Sequence, residues 1–348
     1  MAKKISLFAH FFIFGRHPCH QQTHEKNTNS VIVDMRGLVI RTTGSWYKIL
    51  PEDGGAVVDC RLRGQYRLRG NRQTNPVAVG DIVNYTLMAD GTGVIDDVCD
   101  RKNYIVRKAT KLSKQTHVIA ANIDRLFVVA TLGFPRTSTG FIDRLLVTAE
   151  AYHIPAAVVF NKVDLYGEQG SELWELHNEV KSLYVGAGYP VYEVSALTGV
   201  GINQLLQELQ GRISLFTGHS GVGKSALLNA IQPQLELKVG EVSEWSLKGK
   251  HTTTFAELFP LGKQPSATDG FIIDTPGIKE FGMVDIKKQE LSHFFPEMRD
   301  RLHDCHFANC THLHEPQCAV RDAVERGEIA SERYHNYLNI LEDLQSES

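Results

Sequence analysis

The sequence is poor in cysteine and has no apolar run long enough to cross a membrane. Six cysteines in 348 residues are too few for the disulfide framework of a secreted scaffold, and three of them cluster near the C-terminus. A membrane-spanning helix needs about 20 consecutive apolar residues, and no run approaches that length. Internal repeats and low-complexity tracts are also lacking, which excludes solenoid architectures. We therefore expect a soluble, multidomain α/β protein of the cytoplasm, with no membrane partner.

The sequence also lacks a strong net charge, but its charges are unevenly distributed. Residues 35–115 contain 14 lysines and arginines against 8 acidic residues, a net +6, so the overall charge of -3 leaves -9 on the remainder. A basic module on an acidic chain favours a polyanionic partner. Residues 1–34 contain a short apolar run, but His10 interrupts it and no cleavage site follows. We predict a disordered extension there, with translation starting naturally at Met35.

The basic module has the pattern of a small β-barrel. Five short strands are predicted, at 38–42, 46–50, 56–61, 81–87 and 93–98, with turn residues between them. This spacing favours an oligonucleotide-binding (OB) fold. An alternating basic run with one aromatic residue suits RNA phosphates and base stacking, and consists of Arg61, Arg63, Tyr66, Arg67, Arg69 and Arg72. A solvated charged edge that discourages strand pairing remains the alternative. Residues 101–115 are interpreted as a basic linker.

From residue 123 the pattern changes to alternating strands and helices. Predicted strands cover 126–132, 156–160, 191–194, 213–217, 256–260 and 271–274, and predicted helices cover 141–151, 172–184 and 202–209. This alternation indicates a mostly parallel sheet that is covered on both faces.

A phosphate-binding loop follows the apolar strand 213–217 and begins the next helix. The residues predicted to contact nucleotide are Gly218, His219, Ser220, Gly221, Val222, Gly223, Lys224, Ser225 and Ala226. Glycines let several backbone N–H groups converge on a β-phosphate, and the helix N-terminus adds positive potential. Lys224 is expected to reach the β- and γ-phosphates, and the Ser225 hydroxyl to bind Mg²⁺.

A guanine-reading motif follows the strand 156–160. In Asn161-Lys162-Val163-Asp164, the carboxylate of Asp164 can accept hydrogen bonds from guanine N1–H and the 2-amino group, while the Lys162 stem lies along the base. Ser195 and Ala196 end the next strand, where backbone N–H groups suit the guanine O6.

Two further segments suit the γ-phosphate and its metal ion. Asp274 ends an apolar strand and suits a water-mediated Mg²⁺ contact, and the Gly277 N–H suits the γ-phosphate. The segment 249–254 contains three threonines, of which Thr253 is predicted to complete the Mg²⁺ shell. A plain β-strand is the alternative for those threonines.

The order of these motifs is a circular permutation. In Ras-like GTPases the phosphate loop precedes the Asn-Lys-x-Asp motif, whereas here Asn161 precedes Gly218. We predict an extension at 1–34, an OB-fold domain with its linker at 35–115, a permuted GTPase domain at 116–284 and a zinc-binding helical domain at 285–348. A domain attached after the γ-phosphate sensor is well placed to respond to hydrolysis.

The C-terminal segment contains a predicted zinc site. Cys305, Cys310, His312 and Cys318 supply three sulfurs and one imidazole, a closed tetrahedral set that indicates a structural rather than a catalytic Zn²⁺. Spacing alone leaves three competing ligands, His303, His306 and His314. Helical patterns at 289–295 and 331–344 flank the cluster.

From residue 35 onward the chain resembles the RsgA (YjeQ) family of circularly permuted GTPases. The resemblance rests on the phosphate loop after Asn161–Asp164, on the segment 249–254, and on the four metal ligands with His314-Glu315-Pro316. It implies GTP and GDP, Mg²⁺ and one structural Zn²⁺ as ligands. It also implies GTP hydrolysis stimulated by the small (30S) ribosomal subunit, with 16S rRNA held by the OB and zinc domains, and a monomer off the ribosome.

The family pattern also bears on the attacking water. Ile278 occupies the position where Ras-like proteins have the water-orienting glutamine, and an apolar side chain cannot orient water. By resemblance, His251 is the catalytic candidate, together with Lys224 and Thr253. An exposed imidazole or an rRNA contact is the alternative for His251. Two other functions stay open: an RNA-binding zinc protein with a regulatory or vestigial nucleotide site, and a GTPase of metabolism or metal delivery.

Overall fold

The structure is a computed structural model that describes residues 34–64, 76–107, 117–235, 256–262, 265–266, 268–274 and 286–346. Two structural units are distinguished. The first unit comprises residues 1–125, 206–215 and 244–280, and the second comprises residues 126–205, 216–243 and 281–348. No helix in the described ranges is both long enough and apolar enough to span a bilayer.

The N-terminal strands form a closed five-stranded barrel. The strands are β1 (Asp34–Thr42), β2 (Tyr47–Pro51), β3 (Val58–Leu62), β4 (Ile82–Leu87) and β5 (Gly93–Val98). Strand β1 pairs antiparallel with both β2 and β4, and β3 pairs in parallel with β5, which closes the barrel in an OB-like order. Alternate side chains point inward, so Tyr47 and Cys60 meet in the core while their neighbours face outward. The predicted barrel is confirmed.

The predicted basic linker is partly wrong. Strand β6 (Tyr104–Arg107) lies within the predicted linker and pairs antiparallel with β7 (His117–Ala121), which follows the linker, to form a two-stranded hairpin. The buried side chain of Ile105 anchors the hairpin, and the lysines and arginines around it obscure this apolar position in the sequence. The N–H of Ala121 also donates to the Val79 carbonyl at 2.9 Å, which joins the hairpin to the barrel segment.

The remaining strands of the first unit belong to the α/β part of the chain. Strand β12 (Glu257–Pro260) pairs antiparallel with β13 (Phe271–Asp274). Strand β13 also runs parallel to β11 (Ile213–Thr217), with Ile273 opposite Leu215. Because β11 and β13 are parallel, their carboxyl ends point in the same direction along the sheet.

The second unit contains a parallel sheet with flanking helices. In chain order its elements are β8 (Arg125–Ala130, from residue 126 onward), α1 (Thr139–Ala151), β9 (Ala156–Phe160), α2 (Glu172–Gly186), β10 (Val191–Glu193), α3 (Ile202–Leu209, up to residue 205) and α4 (Lys224–Ile231). Strands β8, β9 and β10 are mutually parallel, and all five residues of β9 are buried, as expected for a sheet covered on both faces. Helix α1 begins at the cap Ser138, whose side chain accepts from the Phe141 N–H.

The C-terminal part of the second unit is built of short helices around one long helix. The elements are α5 (Pro296–Arg299), α6 (Ala319–Glu325) and α7 (Ser331–Ser346). The pattern at 289–295 gives a 3₁₀ helix, Lys288–Phe294, rather than an α-helix. Pro296 disfavours helical backbone at the preceding residue, and Phe295 is accordingly extended. Helix α7 packs against α1 through a core that includes Val147, Phe295 and Tyr337.

Candidate active site and metal centre

The loop between β11 and α4 has the backbone of a phosphate cradle. Gly223 has a positive φ of 87°, and a Cβ placed there would lie 2.6 Å from Nδ2 of Asn161. A Cβ on Gly218 would lie 2.3 Å from the carbonyl oxygen of Val129. Because other residues would clash at both positions, the loop requires glycine there to approach its neighbours so closely.

Asn161 and Lys162 lie against this loop. The buried amide of Asn161 donates to the Val222 carbonyl at 2.9 Å and accepts from the Ala196 N–H at 3.3 Å. Lys162 Nζ donates to the Gly221 carbonyl at 2.8 Å. One side chain, that of Asn161, therefore connects the phosphate loop to the loop after β10, although the two are far apart in the chain.

The residues predicted to contact the guanine base are chain neighbours of Asn161 and Ala196. Lys162 adopts a left-handed backbone conformation, φ 65°, and begins the 3₁₀ turn Val163–Leu165, in which the Asp164 carboxylate is exposed. Ser195 is buried, and its hydroxyl accepts from the Thr198 N–H at 3.1 Å. An exposed carboxylate beside the Lys162 stem is compatible with a guanine edge, and the base-reading role of Asp164 stays a prediction.

Lys224 places its charge at the start of the loop. Its Nζ donates to the carbonyls of Gly218 at 2.6 Å and His219 at 2.8 Å. Lys224 is also the first residue of α4, whose N-terminal amides carry partial positive charge. Ammonium and amides together make this end of the loop suitable for an anion.

The other predicted site residues are only partly described. Ser225 and Ala226 are half-buried in the first turn of α4, and the backbone of Asp274 ends β13. His251, Thr253 and Gly277 lie outside the described residues. Their contacts with Mg²⁺ or phosphate therefore stay predictions.

The four predicted metal ligands converge. One ligand atom from each of Cys305, Cys310, His312 and Cys318 lies within 4.8 Å of the others. Nδ1 of His312 is 3.3 Å from the Cys318 sulfur and 3.8 Å from the Cys305 sulfur, so this nitrogen faces the cluster. The three competing histidines named above are exposed. His312, with its left-handed φ of 59°, is the histidine that the fold turns inward.

The protonation of these groups fits a cation. Burial raises the pKa of the Cys310 thiol to about 12 and also raises the pKa of Cys318. Burial lowers the pKa of His312, which keeps its imidazole neutral and its Nδ1 lone pair available. A divalent cation would supply the charge that converts such thiols to thiolates.

Side chains outside the ligand set hold the metal loop, and the sequence patterns did not reveal this role. The Glu315 carboxylate accepts from the Thr311 N–H at 2.8 Å and the Leu313 N–H at 3.0 Å. Burial alone would raise the pKa of Glu315, but hydrogen bonds from the Thr311 hydroxyl and from the backbone N–H groups of Thr311, Glu315 and His314 lower the pKa to about 2. From α7, the hydroxyls of Tyr334 and Tyr337 donate to the carbonyls of His312 and Thr311.

A buried ionic network joins α7 to α1. The guanidinium of Arg333 donates to Asp143 at 2.6 Å and to Glu297 at 2.7 and 3.2 Å, and it lies 4.6 Å from the Phe295 ring centre. The other Asp143 oxygen accepts from Asn336 at 2.7 Å. No sequence signal reveals this network, because its partners are up to 193 positions apart.

The predicted RNA surface of the barrel is only partly described. The guanidinium of Arg61 lies 3.8 Å from the centre of the Trp46 ring, and Arg63 forms an ion pair with Asp96. The other members of the basic run, from residue 65 onward, lie outside the described residues. RNA contact and a solvated edge therefore both remain possible interpretations of this run.

Comparisons with known proteins identify the family of the chain. A family model described as RsgA GTPase matches residues 98–284, and one described as RsgA N-terminal domain matches residues 36–95. The chain is 51% identical over 311 residues to the small ribosomal subunit biogenesis GTPase RsgA of Bacteroides fragilis, covering 89% of this chain and 97% of that protein. It is 49% identical to the protein of the same name from Christiangramia forsetii, covering 88% and 96%.

Solved structures show the same fold. YjeQ from Thermotoga maritima superposes with a TM-score of 0.75 at 38% identity, covering 90% of this chain and 99% of that one. YloQ, a circularly permuted GTPase, superposes with a TM-score of 0.71 at 29% identity, covering 95% and 99%. The permuted order of motifs therefore has its counterpart in a solved structure that is itself described as a circularly permuted GTPase. The chain belongs to the RsgA family of circularly permuted GTPases.

Proposed function

We propose that this protein hydrolyses GTP as an assembly factor of the small ribosomal subunit, with the nucleotide state controlling its residence there. The observation that carries the proposal is the position of the Asn161 side chain, bonded to both the phosphate loop and the loop after β10. This contact brings together motifs that are 61 and 35 positions apart in the chain. A guanine site requires that convergence.

The chain supplies most of the groups that nucleotide binding needs. Lys224 and the amides of the phosphate loop hold the phosphates, and Asp164 selects guanine over adenine. Ser225, Thr253 and Asp274 would hold Mg²⁺, which, when bound, neutralises charge on the phosphate oxygens. Because Ile278 cannot orient water, His251 is our candidate for that task.

The partner is suggested by the relatives' names, which specify biogenesis of the small ribosomal subunit. We infer that this chain contacts 16S rRNA within the 30S subunit, through its barrel and its metal-binding segment. Ion pairs such as Lys48 with Asp59 on the barrel exterior are exposed and therefore weak, so RNA phosphates can displace their acids. Phosphate-driven binding of this kind weakens steeply as salt rises.

Turnover with and without the small subunit tests the proposal. We expect slow GTP hydrolysis by the isolated protein and a rate increase of at least about tenfold with purified 30S subunits. His251→Ala should lose most of that hydrolysis, by a factor of about 10²–10⁴ if it acts in proton transfer or water orientation, while GDP binding stays intact. Absence of hydrolysis under both conditions would instead favour an RNA-binding protein with a vestigial nucleotide site.

Metal content tests the second ligand site. We propose that the Cys₃His cluster binds one structural Zn²⁺, because all four positions of a tetrahedral shell come from the chain. Cys310→Ser should lose the metal and lower the melting temperature, whereas His303→Ala, at an exposed and competing position, should retain it. The affinity of the cluster for Zn²⁺ should fall as pH falls, since protons compete with the metal for the cysteine sulfurs. Full zinc content in Cys310→Ser, measured by elemental mass spectrometry, would contradict this ligand set.

A further inference from the structure

Five consecutive carbonyl groups of the phosphate loop each accept a hydrogen bond from a side chain. Lys224 donates to the carbonyls of residues 218 and 219, and His219 Nδ1 donates to the carbonyl of residue 220 at 2.9 Å. Lys162 donates to the carbonyl of residue 221, and Asn161 donates to the carbonyl of residue 222. Lys224, Lys162 and Asn161 belong to recognised motifs. The imidazole of His219 is the unexplained member of the set.

The tautomer of His219 follows from its two partners. A carbonyl can only accept, so Nδ1 must carry the hydrogen that it donates to Ser220. In the neutral ring, Nε2 then accepts, and it lies 2.7 Å from the Thr137 hydroxyl. The oxygen of that hydroxyl already accepts from the Thr131 N–H at 3.0 Å, which leaves its hydrogen for His219. The segment before α1 thus fixes the donor direction of the ring.

We propose that the side chain of His219, oriented by Thr137, is a positioning residue for the phosphates of the nucleotide. A trans peptide holds its C=O and N–H in opposite directions. Because His219 holds the Ser220 carbonyl on one side, the N–H of Gly221 is fixed toward the other. Lys162 holds the Gly221 carbonyl and Asn161 holds the Val222 carbonyl, which fixes the N–H groups of Val222 and Gly223 in the same way. The three amides are therefore preorganised as a set. This inference rests on the proposed nucleotide binding and adds a side chain to it.

A packing role must be separated from this hydrogen-bonding role. The His219 ring also meets the Phe141 ring edge to face, with centres 5.4 Å apart. His219→Phe keeps an aromatic ring of similar shape there and removes both nitrogens. His219→Asn gives up the ring and returns a donor near the position of Nδ1. A purely structural histidine would be replaced better by phenylalanine, whereas a positioning histidine would be replaced better by asparagine.

Nucleotide binding and turnover of the full-length protein provide the test. We expect His219→Phe to weaken GDP binding, measured by calorimetry, about tenfold and to raise the KM for GTP similarly, with kcat within about twofold. The amides hold the phosphates equally before and during reaction, so the loss should appear in KM rather than kcat. His219→Asn should recover most of the affinity. His335→Ala, an exposed histidine of α7, is the matched control and should bind like the unmodified protein.

Thr137→Val extends the test through a double-mutant cycle with His219→Phe. We expect Thr137→Val alone to weaken GDP binding severalfold and to add less than about twofold when the imidazole is already absent. Fully additive losses, or phenylalanine binding as well as histidine, would overturn the inference. If the unmodified protein bound no GDP, the proposed function would be refuted instead, so the two results are distinguishable.

Discussion

Asp164→Asn is expected to weaken GTP and GDP binding by about 100-fold or more and to create a preference for xanthine nucleotides. The carboxylate accepts from both N1–H and the 2-amino group of guanine, whereas an amide presents a donor to one of them. Xanthine has an oxygen in place of the 2-amino group and can accept from that new donor. Asp164 is exposed in its turn, so the substitution should leave the fold intact.

The measurement is calorimetric titration with GDP, XDP and ADP. Asp300→Asn, at another exposed aspartate of the second unit, is the matched control and should leave all three affinities unchanged. Equal binding of GDP by Asp164→Asn and the unmodified protein would show that Asp164 does not read the base. In that case Asp164→Asn should also hydrolyse XTP no faster than the unmodified protein does.

Arg333→Ala is expected to lower the free energy of unfolding by about 3–5 kcal/mol. Only 1% of the Arg333 side chain is exposed, so the substitution leaves the carboxylates of Asp143 and Glu297 without a cation in a buried position that water does not reach. Arg326→Ala, whose ion pair with Glu328 is largely exposed and screened by solvent, is the control and should leave the free energy of unfolding nearly unchanged. Urea unfolding followed by helix circular dichroism measures both.

A compensated variant distinguishes charge from shape. Arg333→Met combined with Asp143→Leu and Glu297→Leu removes all three charges together, and it should recover much of the loss because no unpaired ion remains. Equal stability of Arg333→Ala and Arg326→Ala would contradict the importance of the network.

Since α7 also supplies Tyr334 and Tyr337 to the metal loop, Arg333→Ala should release zinc faster to a chelator.

The local elements were largely predictable because each has its own pattern. Alternation of apolar and polar residues predicted the barrel strands, and the apolar run before Gly218 predicted β11 with its bounds. The hairpin strand Tyr104–Arg107 was missed because lysines and arginines dominate its surroundings. The helix predicted before Pro296 is a 3₁₀ helix, and periodicity alone did not specify the type because it does not register the restriction that proline places on the preceding residue.

Side-chain convergence depended on the fold. Spacing left four histidines as possible metal ligands, and the inward turn at His312 decided among them. The contacts of Arg333 with Asp143 and of His219 with Thr137 join residues that no motif relates. Such pairs are set by how helices and loops pack, which a single sequence does not encode as a local pattern.

The sequence by itself predicted the kinds of chemistry: a phosphate loop, a motif expected to read guanine, in permuted order, and a set of sulfur and imidazole groups suited to a metal ion. Each depends on residues close together in the chain, whose backbone conformation follows from glycine, strand and helix preferences. Only the tertiary structure decided that Asn161 bridges two loops, that His219 is fixed by Thr137, and that α7 is locked to α1. These contacts arise when distant segments are buried together, because buried polar groups must then find partners in each other.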